Sequence, residues 1–367
     1  MGHLVNSKEE VYHALAERLN RNPVGAPVNE TLMEILHRLY TVSEAEVGSK
    51  FPLFPMSLEH VSDAVGMGGG ELKKILEGMA DKGLVVDIDR QGETYYMLSP
   101  MVVGFFEYTF MRVSREDVNL REMAELFKNY FEAEGVREEI FAAPTKMFKS
   151  LVYERLIPAV VETEVLGYER ASEIIRQSGG GALTVCTCRH KAGHLGTACD
   201  APLEVCTSLG DAANWVIRRG FGRAAGVDEL LRVLDLTEKH GLVHLGDNVL
   251  YKPAYICHCC GCCCGVLQTI RKSGIMSVSP SHFTPELNAD LCEGCGVCAE
   301  RCQVQAIRMD HDLEIPVIDQ GLCIGCGVCA ANCPAGVLGM ARKKDIVPPP
   351  KNKKEQLLAI AREKGKI

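Results

Sequence analysis

Apolar residues recur at three- and four-residue intervals in three stretches near the start of the chain, which predicts three helices. Their apolar positions are Leu32, Ile35, Leu36 and Leu39, then Leu58, Val61 and Val65, then Leu72, Ile75, Leu76 and Met79. Two short stretches follow, Leu84–Ile88 and Thr94–Leu98, and their composition is typical of strands joined by a turn at Gly92. Three helices and a hairpin predict a winged helix-turn-helix domain over residues 1–112.

The middle of the chain is predicted to be mainly helical. Helical spacing continues from residue 113 to residue 180, including Glu122–Glu134 and Tyr153–Glu164, and it returns over residues 208–240. Between these regions, Ala182–Val185 has the composition of a short strand. Together with the hairpin, the pattern predicts an α+β, multidomain chain.

Cysteine usage changes this picture. The chain has 18 Cys among 367 residues, all of them after Val185 and in tight groups. The N-terminal segment is charged and lacks the apolar stretch of a signal peptide, and no apolar run is long enough to cross a bilayer. We therefore expect a cytoplasmic protein, in which thiols stay reduced and clustered cysteines bind metal. So many thiolates also indicate an anaerobic cell, since oxygen damages metal–thiolate clusters.

Two similar cysteine runs lie near the C-terminus. The first is Cys292, Cys295, Cys298 and Cys302, and the second is Cys323, Cys326, Cys329 and Cys333. Each reads Leu-Cys-x-Gly-Cys-Gly-Val-Cys-Ala at its start. This spacing wraps three thiolates around one face of a cube, and the glycines let backbone amides turn toward its sulfurs. Zinc sites use four ligands in pairs, so zinc is the weaker interpretation of these runs.

The repeat resembles bacterial two-cluster ferredoxins over the segment from about Glu286 to Ala341. The resemblance implies two [4Fe-4S] clusters with crossed ligation, in which the fourth Cys of each run reaches the other cluster. The expected ligands are Cys292, Cys295, Cys298 and Cys333 for the first cluster, and Cys323, Cys326, Cys329 and Cys302 for the second. One departure is Gln303, where the family usually has Pro; Pro334 keeps that residue in the second run.

Ten further cysteines precede the repeat. They are Cys186, Cys188, Cys199, Cys206, Cys257, Cys259, Cys260, Cys262, Cys263 and Cys264. The first four have the ligands for one [4Fe-4S] cluster or one zinc ion. Neighbouring side chains diverge, so the six at 257–264 cannot all face one metal; we expect some to join the first four and others to form a second site. At least one further iron–sulfur cluster is the favoured interpretation. Structural zinc, redox-active thiols and an unusual non-cubane cluster stay open.

Basic residues lie among these cysteines. Arg189, His190, Lys191 and His194 supply positive charge that favours the more reduced cluster and raises its potential, or that binds an anionic partner. His244 follows a predicted helix end and is expected to cap or pack rather than to bind metal.

The order of these motifs, from Cys186 through the Cys257–Cys264 run to the repeat, resembles a group of winged-helix/4Fe-4S fusion proteins of anaerobic bacteria and archaea. This resemblance covers most of the chain and implies redox work without naming a substrate. His258 stands where that group is expected to have Asn, which leaves its role open.

Charge argues against DNA binding by the N-terminal domain. Residues 1–112 contain ten Lys/Arg and sixteen Asp/Glu, a net charge of -6. The helix that would enter the DNA groove, Gly70–Lys82, has three residues of each sign. Phosphate contacts need an excess of positive charge. We therefore expect this domain to dock or dimerise.

Motifs for other cofactors are lacking in the sequence: no phosphate-binding loop, dinucleotide-binding glycine motif or Ser/His/Asp elbow is recognisable. We therefore predict an electron carrier or oxidoreductase subunit that acts with redox partner proteins, as a homodimer or in a larger complex. Two alternatives stay open: a redox-sensing regulator that binds DNA through residues 29–98, and an oxidoreductase with its active site at Cys257–Cys264. The predicted domains are the winged helix, 1–112; a helical Cys-rich domain, 113–284; a two-cluster ferredoxin domain, 285–341; and a basic tail, 342–367.

The basic tail has nine Lys/Arg and three Asp/Glu from Arg342 to Ile367, a net charge of +6. It is expected to contact an acidic partner or a membrane surface, or else to be solvated, with a short helix at Lys354–Glu363.

Overall fold

The N-terminal region consists of helices and a three-stranded antiparallel sheet, whose first strand precedes the last two helices. The structure is a computed structural model that describes residues 2–310 and 312–367. The first elements are α1 (Gly2–Asn20), α2 (Glu30–Leu39), α3 (Val42–Ser49), β1 (Met56–Ser57), α4 (Leu58–Val65), α5 (Gly69–Lys82), β2 (Val85–Arg90) and β3 (Glu93–Leu98). Strand β3 lies between β1 and β2. Helix α2 begins where the Asn29 side chain accepts a hydrogen bond from the Leu32 amide at 2.8 Å, and α5 ends at Gly83 with φ 80°.

A seven-stranded mixed sheet forms the centre of the middle region. Its elements are α6 (Phe106–Met111), α7 (Leu120–Glu132), α8 (Val136–Phe141), β4 (Phe148–Leu151), α9 (Ala171–Ser178), β5 (Gly181–Val185), α10 (Thr187–His194), β6 (Glu204–Leu209), α11 (Gly210–Arg218), β7 (Arg223–Ala225), α12 (Val227–Lys239), β8 (Val243–Asp247), β9 (Tyr255–Cys259), α13 (Gly265–Ser273) and β10 (Val278–Ser279). The strand order is β10-β4-β8-β9-β6-β5-β7, with β10 and β4 parallel and the other pairs antiparallel.

The prediction of a helical middle domain is therefore wrong, because it missed most of this sheet. All five residues of β8 are buried, and β9 has four buried residues and one that is partly buried. Strands covered on both faces lack the alternation of polar and apolar residues that identifies a half-exposed strand.

The segment Tyr153–Glu164 was expected to be an amphipathic helix, but it forms two 3₁₀ helices, Glu154–Leu156 and Ala159–Glu164. Between them lies Pro158, which has no amide hydrogen to donate and disfavours helical backbone in the residue before it. Ile157 accordingly has extended backbone angles.

The expected helix over residues 208–240 is also interrupted, by strand β7. Gly220 has φ 68°, and a Cβ on Gly222 would lie 2.6 Å from the Leu183 carbonyl oxygen. These glycines let the chain leave α11 and pair with β5 at close range.

The C-terminal region, from Phe283 to Arg342, has a nearly twofold arrangement of its elements and is called the ferredoxin domain below. Its elements are β11 (Phe283–Leu287), α14 (Val297–Arg301), β12 (Ile307–Met309), β13 (Pro316–Ile318), α15 (Val328–Ala331) and β14 (Leu338–Arg342). Strand β11 pairs with β14 and β12 pairs with β13, both antiparallel. Each cysteine run enters one short helix, so the local backbone of the two runs is equivalent.

The basic tail packs back onto the rest of the chain through α16 (Lys353–Glu363). The amino groups of Lys364 and Lys366 each lie 2.7 Å from the Glu139 carboxylate, and Lys366 also donates to the Asn20 carbonyl at 2.8 Å. The expectation of a tail that is solvated or reaches a partner is thus wrong for these lysines, because their charge is paired within the chain.

Gln356 anchors this helix, and its loss should destabilise the protein. The side chain is fully buried, and its Nε2 donates to the carbonyls of Lys146, Met147 and Asn248 at 3.1, 3.3 and 3.1 Å. Gln356→Leu removes the donor to the Asn248 carbonyl, while the Lys146 and Met147 carbonyls each lose one of their donors, so the free energy of unfolding should fall by about 1–3 kcal/mol. Thermal unfolding followed by circular dichroism measures the loss. Lys354→Ala, at an exposed position of the same helix, is the control; equal effects of both variants would contradict the anchoring role.

Candidate metal centres

Glycines shape the loops that carry the two cysteine runs of the C-terminal domain. Gly294 and Gly296 have φ 66° and 73°, and Gly325 and Gly327 have φ 65° and 83°. Side chains disfavour this left-handed region, and a Cβ on Gly325 would lie 2.2 Å from the Phe283 carbonyl oxygen. The glycines therefore let each loop curl tightly around its cysteines, as a compact inorganic centre requires.

Four cysteines from both runs line one pocket of the C-terminal domain. They are Cys292, Cys295, Cys298 and Cys333, the set that the resemblance assigned to the first cluster. The remaining wall includes the apolar side chains of Leu287, Met309 and Leu338. The fold thus brings the last cysteine of the second run to the first three of the first run.

The other crossed set is also assembled. The sulfur of Cys302 interacts electrostatically with those of Cys323, Cys326 and Cys329. Burial raises the pKa of these three thiols, that of Cys329 to about 12, so binding a metal there releases protons. Cys302 Sγ accepts a hydrogen bond from the Ala306 amide at 3.2 Å, the kind of contact that stabilises a cluster ligand.

Six of the ten upstream cysteines form one group, which we call the sextet. Its members are Cys186, Cys188, Cys206, Cys257, Cys259 and Cys264. Thiol contacts connect them in the order Cys186–Cys206–Cys257–Cys259–Cys264–Cys188. Cys257 and Cys259 share one face of β9 because side chains alternate along a strand. The others come from the ends of neighbouring elements, so the group exists only in the folded sheet.

The other four upstream cysteines form a second group, the quartet. They are Cys199, Cys260, Cys262 and Cys263, and their sulfur atoms all lie within 4.8 Å of one another. Cys262 is exposed, Cys199 is partly buried, and the other two are buried. Cys199 was expected to join Cys186, Cys188 and Cys206; the structure separates it from them, because it lies on the loop after α10 and faces the turn after β9.

Arg189 lies between the sextet and the quartet. The residue is 2% exposed, and its Nη2 donates to Cys260 Sγ at 3.4 Å. Burial by itself lowers the pKa of Arg189, but the nearby sulfurs of Cys186 and Cys260 raise it above its ordinary value, so the side chain stays charged. Nε is buried without a hydrogen-bond partner in the described part of the chain. A buried cation with a free donor fits an additional anionic acceptor, such as the sulfide of a bound cluster.

The other predicted basic residues face aromatic side chains instead. Lys191 lies 5.8 Å from the centre of the Phe106 ring, and His190 Nδ1 lies 2.8 Å from the Phe110 carbonyl oxygen. His194 Nε2 lies 3.2 Å from His190 Nε2. Of the four basic residues near the first cysteines, Arg189 is the one with a hydrogen bond to sulfur among the described contacts.

His244 and His258 pack together on the sheet face opposite the sextet. They are partners in the β8–β9 register, and each ring lies 3.1 Å from the Thr237 hydroxyl. Burial lowers the pKa of His244 to about 3 and that of His258 well below its ordinary value, so both rings are neutral. Both histidines are therefore packing residues of the strand interior.

Gln303 connects the C-terminal domain to the quartet, and the search for ligands in the sequence missed this role. Its Oε1 accepts a hydrogen bond from the Gly261 amide at 2.7 Å, and its Nε2 donates to the Gly241 carbonyl at 2.9 Å. Gln303 directly follows Cys302, and Gly261 lies between two quartet residues. The signal available in the sequence was that Gln303 stands where the ferredoxin family usually has Pro.

The N-terminal domain docks on the middle domain through acidic residues of α5 and β2. Arg219 pairs with Glu77 and Asp81 at 2.8 Å each, and with Asp87 at 2.7 Å. The Trp215 indole N–H also donates to Asp87 at 2.7 Å. One side of α5 is therefore engaged within the chain.

Comparison with known proteins identifies the C-terminal domain. Residues 291–337 match the family described as 4Fe-4S dicluster domain. The ferredoxin-type protein NapF of Escherichia coli (strain K12) is 31% identical over 67 residues, which cover 18% of this chain and 38% of NapF. The pyruvate synthase subunit PorD of Methanothermobacter marburgensis is 52% identical over 27 residues, which cover 7% of this chain and 33% of PorD. The chain thus spans well under half the length of these relatives.

No solved structure matches the chain significantly. The C-terminal segment is a 4Fe-4S dicluster ferredoxin domain, which confirms that part of the prediction and supports iron–sulfur electron transfer. In residues 2–310 and 312–367, none of the helices is both long and apolar enough to span a membrane.

Proposed function

We propose that this chain is an electron carrier, or the electron-transfer subunit of an oxidoreductase, in which the ferredoxin domain exchanges electrons with a further iron–sulfur centre at the sextet. Gln303 carries the proposal, because it joins the residue after Cys302 to Gly261 in the upstream cysteine run. Bound iron–sulfur clusters supply one-electron transfer. The residues around each cysteine group determine which group lies at the surface and which groups lie next to one another along the proposed electron route.

The ferredoxin domain has an outer and an inner ligand set. The outer set, with Cys333 as its crossed ligand, includes the exposed Cys295, and Leu291 and Leu313 near it are 63% and 67% exposed. Exposed apolar residues beside a redox centre suit transient docking of a partner protein. We assign the outer set to exchange with redox partners.

The inner set, with Cys302 as its crossed ligand, faces the middle domain. The Tyr153 amide donates to the Cys326 carbonyl at 3.2 Å, and the Tyr153 hydroxyl donates to the Leu242 carbonyl at 2.7 Å. These contacts and those of Gln303 hold the second run against the upstream cysteines. The inner set is thus placed to exchange electrons inside the chain.

The sextet has the properties of a further cluster site. Hydrogen bonds from Cys206 and Cys259 lower the pKa of Cys257 to about 6, and a hydrogen bond from Cys188 lowers the pKa of Cys264 well below its ordinary value. The same hydrogen bonds and burial raise the pKa of Cys188, Cys206 and Cys259, so two of the six sulfurs are favoured as thiolates before metal binds. Thiolates, not thiols, bind metal. Six sulfurs exceed what one zinc ion accepts, so a polynuclear centre is the better fit.

We assign the N-terminal domain a winged-helix fold and a docking role. The element order α2, α3, β1, α4, α5, β2 and β3, with the three strands in one antiparallel sheet, supports the fold. The pairing of Glu77 and Asp81 with Arg219 supports docking on the middle domain, and it disfavours a regulator that would place α5 in DNA. Electron transfer is therefore preferred to transcriptional regulation.

Metal analysis of anaerobically purified chain tests the proposal. Two [4Fe-4S] clusters contribute about eight iron and eight sulfide per chain, and a cluster at the sextet should raise both above about ten. Cys257→Ser should remove the excess and leave the two ferredoxin signals in the electron paramagnetic resonance (EPR) spectrum. Fewer than about eight irons in the unaltered chain would refute the assignment of two clusters.

A further inference from the structure

We propose that the quartet binds a single tetrahedral divalent metal ion, zinc or iron, and not an iron–sulfur cluster. The inference does not depend on the proposed function, because it rests on the size and composition of this one site. The quartet combines Cys199 with the turn that carries Cys260, Cys262 and Cys263.

The distances between the quartet sulfurs fit one ion. Cys199 Sγ lies 3.6 Å from Cys260 Sγ and 4.0 Å from Cys263 Sγ, and Cys262 Sγ lies 3.6 Å from Cys263 Sγ. Four thiolates at about 2.3 Å from a tetrahedral zinc ion lie about 3.8 Å from one another. The quartet already has the dimensions of such a site.

The other cysteine groups of the same molecule have a different size. Thiolates that bind a cubane each bind a separate iron, so they lie farther apart than thiolates that share one ion. Among the described residues, the quartet is the one set of three or more possible ligand atoms that all fall within 4.8 Å of one another. The sulfurs of each ferredoxin set and of the sextet do not all lie within this distance of one another. The quartet is therefore a different type of metal site.

Arg189 offsets part of the negative charge of the proposed site. Four thiolates around a divalent ion have a net charge of minus two, which needs compensation where two of the ligands are buried. The Arg189 guanidinium donates a hydrogen bond to Cys260 Sγ, and Arg189 is itself buried. Hydrogen bonds to metal-bound thiolates orient them and tune the metal.

The location of the quartet suggests what the ion would do. All four ligands come from the protein, which is typical of closed, structural sites. The ion would tie the loop after α10 to the turn that contains Gly261. That turn is where Gln303 of the ferredoxin domain binds, so the ion would hold the docking point of the inner ferredoxin set.

Metal and sulfide analysis of full-length variants tests this proposal. The chain is produced anaerobically with iron alone and with iron plus zinc. Cys199→Ser should lose about one metal atom per chain with acid-labile sulfide unchanged, whereas Cys206→Ser, in the sextet, should lose iron and sulfide together. Unchanged EPR signals of the ferredoxin clusters show that each variant is folded. The metal that Cys199→Ser loses, zinc or iron, is the metal that the quartet binds.

Loss of about four iron and four sulfide from Cys199→Ser, or no loss of metal at all, would overturn the proposal. X-ray absorption on the unaltered, zinc-supplemented chain tests it without a variant. One zinc per chain with four sulfurs at about 2.3 Å and no neighbouring metal is the expected result. Metal–metal scattering at the zinc edge, or zinc bound through oxygen and nitrogen, would be the contrary result.

Discussion

Gln303→Pro should leave both ferredoxin clusters in place while weakening their connection to the middle domain. Proline stands at the equivalent position of the second run, Pro334, so the local backbone is expected to accept it. The substitution removes the acceptor of the Gly261 amide and the donor to the Gly241 carbonyl. Unpaired groups of this kind cost about 1–3 kcal/mol each, which corresponds to a tenfold or larger loss of the docked state.

Rapid-freeze EPR after photoreduction measures this effect. Reduction of the ferredoxin clusters should proceed as in the unaltered chain, and electron arrival at the upstream centre should slow by about tenfold or more, in line with the loss of docking. Gln320→Ala is the matched control, since that side chain bonds to Thr284 within the ferredoxin domain. Equal rates for Gln303→Pro and the control would remove Gln303 from the proposed route. Loss of iron from Gln303→Pro would instead indicate a role in holding the cluster.

Asp87→Ala should be among the most destabilising substitutions in the N-terminal domain. Asp87 is 2% exposed, pairs with Arg219 at 2.7 Å, also pairs with Arg218, and accepts from Trp215 at 2.7 Å. Removing it leaves the largely buried Arg219 without this partner. Arg219 keeps Glu77 and Asp81 as partners, but the buried Trp215 N–H loses its acceptor, so the free energy of unfolding should fall by about 1–3 kcal/mol.

Urea unfolding under anaerobic conditions, followed by circular dichroism, compares Asp87→Ala with Asp89→Ala. Asp89 lies two residues along the same strand and is exposed, so its removal should change the free energy by less than about 0.5 kcal/mol. A loss below about 1 kcal/mol for Asp87→Ala would contradict a strong docking contact.

The pH dependence of this effect has a definite sign. Burial by itself raises the pKa of Asp87, but hydrogen bonds from Arg219, Arg218 and Trp215 outweigh it and hold the pKa below its ordinary value. A carboxyl group whose pKa is lowered by folding stabilises the protein above its unfolded pKa, about 3.9. The difference between the unaltered chain and Asp87→Ala should therefore persist from about pH 8 to about pH 5 and shrink in stronger acid.

Local patterns in the sequence predicted the N-terminal helices and hairpin well, and they indicated the C-terminal 4Fe-4S dicluster domain. The helix over Glu30–Leu39 has its cap at Asn29 and its buried positions at the expected spacing. In the ferredoxin runs, ligands two or three residues apart must lie near one another however the rest of the chain folds. A set of cysteines that lie two or three residues apart in one loop can therefore be recognised from the sequence alone.

The upstream cysteines show the opposite case. Cys257 and Cys260 are three residues apart, yet one belongs to the sextet and the other to the quartet. Their partners come from loops and strands more than fifty residues earlier, Cys206 for the first and Cys199 for the second. Only the order of strands β5, β6 and β9 in the sheet determines which sulfurs meet.

The sequence by itself determined that this chain has a two-cluster ferredoxin domain, since each cysteine run encodes its own loop through glycine and short spacing. Only the tertiary structure decided how the ten other cysteines divide into two groups, where the basic tail lies and which residues the Gln303 side chain contacts. The physical reason is that side-chain alternation, strand order and domain contacts act between residues far apart in the chain. Those contacts leave no periodic signal in the sequence around any one of them.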